Sequence, residues 1–541
     1  MKIVCISTVP TPALAEAMNA LNSDFELDVE FAIYYPHQID EEDVDRETVK
    51  NDLITADVVL IDIRGGGRAS EIAYDTLKEA KNVVLNLVGP LSKLMEITRL
   101  GAFSGTKIAS RISSSTEVEN PEELWQKIER AQNMVETAGK VIPVKSLRDA
   151  RNYIKITRYW RYGGKENYYN LFLLLLREYF DYALPKAKEP VEFPDYGIYH
   201  PSCGHFADVE AFITASDFVD TRSTVGILFY GGMHFDQSVS TVSALINELK
   251  EFNIIPVYAN GVHNLRAIKR YFFRQGKPLV DAVINLMWFR INGGPLGGNP
   301  ALTAELLKEL NVPIFAPAPM FVRDVEKWRE SPTGLSPIEV IAAVIWPELD
   351  GCIEPIPSCG VQDVAVGAME VKEVAPIDDR IECIAGRLRN WLRLKEMPDS
   401  GKKIAVIIYN YPPGEENIGK AAYLDVFQSV TRLLERLKER GYEVELPEKE
   451  LHVLFEELAI VNSGTWFREE ETLTTCHYLD VQDYLKLFLA LPEAVQSDVI
   501  ADWGAPPGTV MSVDNKLLIP GIELGNVFVG IQPARPPLGE S

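Results

Sequence analysis

The amino-acid sequence predicts an α/β protein built from several open parallel-sheet units of the flavodoxin or Rossmann type, joined by helical connectors. Three observations carry this. Short apolar runs of strand length alternate with amphipathic helical runs in separate regions of the chain. Several of these runs end in glycine-rich turns, as in STVGILFYGG (223–232) and AVINLMWFRINGGP (282–295). The third is the stretch Lys402–Val444. It holds an apolar strand (Ile404 to Tyr409), a Pro/Gly turn, a small-residue loop, a helix stopped by Gly441 and a new strand from Tyr442. Open parallel sheets bind ligands at the carboxyl ends of their strands, and this loop stands at such an end.

The elements follow in order. Residues 1–113 read as an N-terminal α/β domain, with strands at 2–7, 28–35, 56–63 and 82–88 and helices at Ala13 to Leu21 and Ser70 to Ala80. Residues 114–190 read as a helical connector, with runs at Pro121 to Val135, Ser146 to Tyr159 and Tyr168 to Tyr182. Residues 191–363 read as a second α/β domain, with strands at 223–232, 253–261, 282–295 and 312–320 and a helix over 334–351 ended by Pro347. Residues 364–400 read as a helical linker, and 401–541 as a third α/β domain that looks truncated after the strand 525–537.

Composition narrows the function. A chain of 541 residues suits about three or four domains. Lys and Arg number 54 against 78 Asp and Glu, a formal charge of -24, which disfavours nucleic acid as the main partner. Six cysteines without a C-x-x-C pair read as reduced thiols, so a cytoplasmic location is expected. The apolar run LFLLLL (171–176) is too short for a transmembrane segment.

The search for chemistry finds no G-x-S-x-G, H-E-x-x-H or Walker A motif. Arg64-Gly65-Gly66-Gly67-Arg68 reads as a tight strand-to-helix turn, with an anion cradle as the alternative. His200, His234 and His263 fall at or just after strand ends, where an open sheet gathers its ligand contacts. HPSCGH (200–205) has the residue types of half a metal knuckle and lacks a second half. Asn410, Asn417, Gly419 and Asp425 belong to the loop after the strand at 404, where they either contact a ligand or cap the next helix. Gln532 closes the last strand. Arg64 and Arg68 suit carboxylate groups of a ligand or ion pairs on the surface.

Resemblance adds a family. VGPLSKLMEITRLGAFS (88–104), SLRDARNYIKITRYWRYGG (146–164), DYGIYHP (195–201), VINLMWFRINGGP (283–295), WRESPTGLSPIEVIAAVIWPELDG (328–351), NYPPGEENIGKAAYLDVFQS (410–429), WGAPPG (503–508) and GNVFVGIQP (525–533) occur in this order. Together they resemble the large subunit of the ATP-dependent tetrapyrrole metal chelatases, cobaltochelatase and magnesium chelatase. The resemblance implies insertion of Co2+ or Mg2+, as substrate metal, into a tetrapyrrole held by the large subunit. It also implies that ATP is hydrolysed on separate AAA+ partner subunits, so that this chain binds no cofactor itself. The family carries an H-x-G-T-H-G-x-x-E motif well beyond the GIQP strand, and no His-Gly pair occurs in this chain. The expectation is therefore an N-terminal portion, with a C-terminal half as partner if the subunit is split. Alone, it is expected to bind macrocycle weakly or not at all. A non-catalytic tetrapyrrole-binding or regulatory scaffold, and an unrelated multi-domain α/β small-molecule-binding protein, are the competing readings.

Overall fold

The computed structural model describes residues 1–64, 66–88, 92–106, 130, 144–294, 298–411, 417–457, 477–508 and 511–532. The helix expected at Pro121 to Val135 lies outside them, apart from residue 130. The chain divides into two compact units, Met1–Leu392 and Arg393–Ser541.

The first unit opens with a six-stranded sheet. Its strands are β1 (Lys2–Ser7), β2 (Glu30–Tyr34), β3 (Val58–Asp62), β4 (Val83–Asn86), β5 (Arg99–Leu100) and β6 (Phe103–Ser104), in the order β2-β1-β3-β4-β5-β6. β1 to β4 run parallel, and the last two strands turn antiparallel. β1 and β3 are apolar on both faces because both faces are covered: Ala13–Phe25 packs on one, Arg46–Thr55 and Arg68–Leu77 on the other. The helices Lys145–Tyr162 and Lys165–Tyr179 join the first of these cores through Trp160, Tyr168 and Phe172.

The second sheet comprises β7 (Tyr196–His200), β8 (Gly204–Phe206), β9 (Thr224–Tyr230), β10 (Asn253–Ala259), β13 (Ala282–Asn285) and β14 (Ile314–Phe315). A short hairpin, β11 (Phe273–Arg274) and β12 (Lys277–Pro278), lies between them in sequence. The order is β14-β13-β9-β10-β7-β8. Chain order reverses beside β9 here, and beside β1 in the first sheet, and such a reversal is where a crevice opens at the strand ends.

Three expectations for the first unit need correction. The run 312–320 is two strands, β14 and β15 (Ala318–Asp324), because Ala316 and Ala318 turn to bond with Ile353 and Ile356 and carry the chain into another sheet. That sheet, β15-β16-β17, contains β16 (Pro357–Val366) and β17 (Met369–Pro376), a hairpin turned at Gly367, so 364–400 is not wholly helical; the helix is Asp378–Glu396. Finally, Pro347 does not end the helix at 334–351. The helix widens into a π turn at Val340–Ile345 and resumes at Trp346–Leu349. Trp346 N–H reaches back to the Ile341 carbonyl, which frees the Ala342 carbonyl to accept from Phe289 N–H at 2.6 Å. A proline near the widened turn removes one donor, and the altered register absorbs that loss.

In the second unit β18 (Ile404–Ile408) pairs parallel with the last described strand, β23 (Val527–Ile531), which pairs antiparallel with β22 (Gly521–Leu524). A small sheet of β19 (His477–Asp480), β20 (Ser512–Val513) and β21 (Lys516–Ile519) accompanies it. The strand expected from Tyr442 is a single bridge, Val444 to Gly525, because β23 takes the place beside β18.

Asp149 ties the first sheet to the helix pair. Fully buried, it accepts from Ala102 N at 2.7 Å and from Tyr179 Oη at 3.1 Å, and Arg148 pairs with it. Asp149→Ala leaves a buried N–H and hydroxyl without their acceptor. It is expected to lower unfolding stability by about 2–3 kcal/mol, measured by denaturant titration of the 541-residue chain.

Candidate functional site

In the first unit the carboxyl edges of the two large sheets meet. Asp62 ends β3 and is fully buried. Its carboxylate accepts from Trp160 Nε1 at 2.8 Å and from Arg64 Nε at 3.0 Å. An isolated buried carboxylate is costly, so these charge-assisted bonds hold both partners firmly. The Arg64 guanidinium then reaches across to the turn after β9, where Nη1 donates to His234 Nε2 at 2.6 Å. His234 Nδ1 faces Gln237 Oε1 at 2.6 Å, and Gln237 Nε2 donates to the Pro10 carbonyl at 3.3 Å. Since Arg64 only donates, Nε2 must accept and Nδ1 must carry the proton: the imidazole is neutral. Close backbone approach makes the joint possible. Gly163 and Gly232 both hold positive φ, and a Cβ on Gly163 would stand 2.8 Å from Met233 Cα.

The sequence pointed to Arg64 and His234 separately; the structure brings them together. Asp62, Trp160 and Gln237 were missed. One signal was available for Asp62, a carboxylate closing the otherwise apolar strand VVLID. Arg68 pairs with Glu71 on the surface, as its alternative reading had it. His263 is buried, with Nδ1 3.0 Å from Asn260 Oδ1.

His200 does not join this edge. β7 runs antiparallel to β10, with Tyr196 opposite Ala259, so His200 lies back toward the amino end of β10, with Nδ1 2.8 Å from Ser202 Oγ. The knuckle reading of HPSCGH fails for a related reason. His205 pairs with Tyr199 and His200 with Gly204, so the two imidazoles leave the hairpin on opposite faces. His205 stacks among Phe193, Tyr199 and Phe235 instead. Among the described residues, no three His, Cys, Asp or Glu side chains form a group able to hold a metal ion.

In the second unit, four of the five singled-out residues stand at one edge. Asn410 bridges to Ile418, and Gly419 N–H donates to the Tyr409 carbonyl at 2.8 Å. Asn410 and Asn417 are buried. Gln532 N–H donates to the Ile408 carbonyl at 2.8 Å, which sets the end of β23 beside the end of β18. Gly419 has φ +68°, and a Cβ there would press on Val426. Lys420, exposed, donates from Nζ to Asn417 Oδ1 at 3.1 Å and adds one positive charge to an edge of neutral amides. Asp425 is the helix cap: its carboxylate accepts from Gln428 N at 2.9 Å.

Burial and the Arg64 charge push the His234 imidazole down from its ordinary 6.5 to about 4. The unfolded chain takes up this proton near pH 6.5 and the folded chain only near pH 4, so His234 makes stability fall as pH drops through that window. Unfolding free energy followed from pH 7.5 to pH 4 is expected to decline less steeply in His234→Gln.

Comparison with known proteins places the chain in a family. A family model described as CobN/Magnesium Chelatase matches residues 157–540. An uncharacterized protein of Methanocaldococcus jannaschii is 32% identical over 426 residues, covering 72% of this chain and 32% of its own length. The chloroplastic magnesium-chelatase subunit ChlH of Oryza sativa is 30% identical over 488 residues, 84% of this chain and 34% of its own. This chain thus spans about a third of the length of the curated relatives it matches. The catalytic subunit of cobaltochelatase from Mycobacterium tuberculosis shares the fold, with a TM-score of 0.53 at 19% identity over 99% of this chain and 39% of that one. With most of its length matched, this chain belongs to the CobN/magnesium chelatase family.

Proposed function

We propose that this chain is the N-terminal portion of a metal-chelatase large subunit and holds part of a tetrapyrrole while Co2+ or Mg2+ is inserted. The observation that carries the reading is the family match over residues 157–540. On this reading AAA+ partner subunits hydrolyse the ATP, and the protein works in the cytoplasm, which suits its acidic composition and its five unpaired cysteines among the described residues.

Metallation must remove two pyrrole protons and deliver a dehydrated dication to a ring that resists distortion. The edge at β18 and β23 is suited to a different part of the task. Gln532, partly exposed and uncharged, can orient a macrocycle without competing for the metal, while the buried Asn410 and Asn417 shape the loop behind it. Lys420, exposed beside Asn417, can pair with a peripheral carboxylate of the ring. Arg64 is engaged by Asp62 and His234, so we assign it to the joint rather than to the macrocycle.

The test is titration of the 541-residue chain with protoporphyrin IX, followed by absorbance and fluorescence quenching. Weak, saturable binding that weakens with salt is expected. Lys420→Gln should loosen it about tenfold and flatten the salt dependence; tenfold corresponds to about 1.4 kcal/mol. Absence of saturable binding, or a Lys420→Gln variant indistinguishable from the parent, would count against a macrocycle site at this edge.

A further inference from the structure

Among the described residues, the sheet β18-β23-β22 is packed on one face and, along β18, bare on the other. Along β18, Ile404, Val406 and Ile408 pack with Val430 and Leu434 of the helix Val426–Glu439. The alternate positions, Ala405, Ile407 and Tyr409, turn outward, with Ile407 53% and Tyr409 47% exposed. The register pairs Ala405 with Phe528 and Ile407 with Gly530, so Phe528 belongs to the same face. His477 of β19 reaches only the Phe528 end, 5.5 Å between ring centres. Among the described residues β18 has a single strand neighbour, and its other edge pairs with no strand of theirs.

Residue type and environment disagree here. A strand with one solvated face alternates apolar with polar, whereas IAVIIY (404–409) has the composition of a strand buried on both faces of a parallel sheet. An apolar edge strand left open is a template for pairing with another segment. β18 already pairs parallel with β23, so the missing neighbour is best supplied by another parallel strand with its crossover helix. A second copy fits poorly. Two-fold symmetry would bring two β18 edges together antiparallel, and each copy carries a formal charge of -24. The relatives supply the occupant: this chain spans 32% and 34% of the two named above, leaving about two thirds of a large subunit to cover the face.

We infer that this second edge and the outer face of β18 are a joining surface, taken by a parallel strand and helix from the remaining two thirds of a metal-chelatase large subunit. This rests on the large-subunit reading but not on macrocycle binding, so a failed porphyrin titration leaves it standing.

The experiment mixes the 541-residue chain with a recombinant polypeptide comprising the part of the M. jannaschii relative outside its matched third. Size-exclusion chromatography with light scattering reads the stoichiometry, and hydrogen exchange with mass spectrometry reads the amides. A one-to-one complex is expected, with exchange at Ala405–Ile408 slowed at least about tenfold. Ile407→Asp and Tyr409→Asp should each abolish the complex while leaving the thermal midpoint of the chain unchanged. Overturning results are no complex, a complex that leaves these amides unprotected, or self-association of the chain that Ile407→Asp dissolves, which would give the surface to a second copy.

Discussion

A parallel sheet has to be covered on both faces, and most of the architecture follows from that requirement. β1, β3, β9 and β10 carry almost no polar side chain because helices lie on each side of them. The helix pair Lys145–Tyr179 serves the first sheet, and the helix Asp378–Glu396 packs against the core behind the second. Where the requirement is met, the strand ends become the parts of the sheet left to carry polar chemistry. Where it is unmet, as along β18, an apolar face stands in solvent.

The strand ends of the first unit show what this arrangement does with charge. Asp62 is buried at a place where two sheets and a helix converge, and it is stabilised by an indole from one and a guanidinium from another. The guanidinium in turn fixes the tautomer of His234 across the joint. One carboxylate thus sets the rotamers of groups far apart in the chain, and the metal-binding residue types at this edge are spent on holding the sheets together. Among the described residues the second unit presents the opposite arrangement, an edge of amides with one exposed lysine.

Much of the fold could be read from sequence because it is local. Apolar runs such as KIVCIS, STVGILFY and IAVIIY state strand and burial in their own composition. Strand direction and pairing partner are not local. Nothing in DYGIYHP says that β7 will run against β10, and that direction alone removes His200 from the edge holding His234. The pairing of β18 with β23 joins segments more than a hundred residues apart, so the strand expected at Tyr442 was the reasonable local choice. The hairpin β16–β17 alternates polar and apolar residues around Gly367, a readable signal that the helix after it obscured. At the candidate site, Gly419 and Asp425 were legible from turn and cap chemistry, whereas the bond from Trp160 to Asp62 spans 98 positions and leaves no trace in either neighbourhood.

The π turn at Val340–Ile345 bears on how this chain is compared with its relatives. A π turn is an α-helix with one residue too many, and the surplus residue here buys an outward carbonyl, that of Ala342, which holds Phe289 at φ +69°. A relative lacking that residue would run as plain helix through the segment. Its later side chains would be turned by about 100° about the axis relative to those seen here. Position-by-position correspondence therefore has to be established separately on either side of residues 340–345, and a one-residue gap there records a change of helical phase rather than a loss of structure.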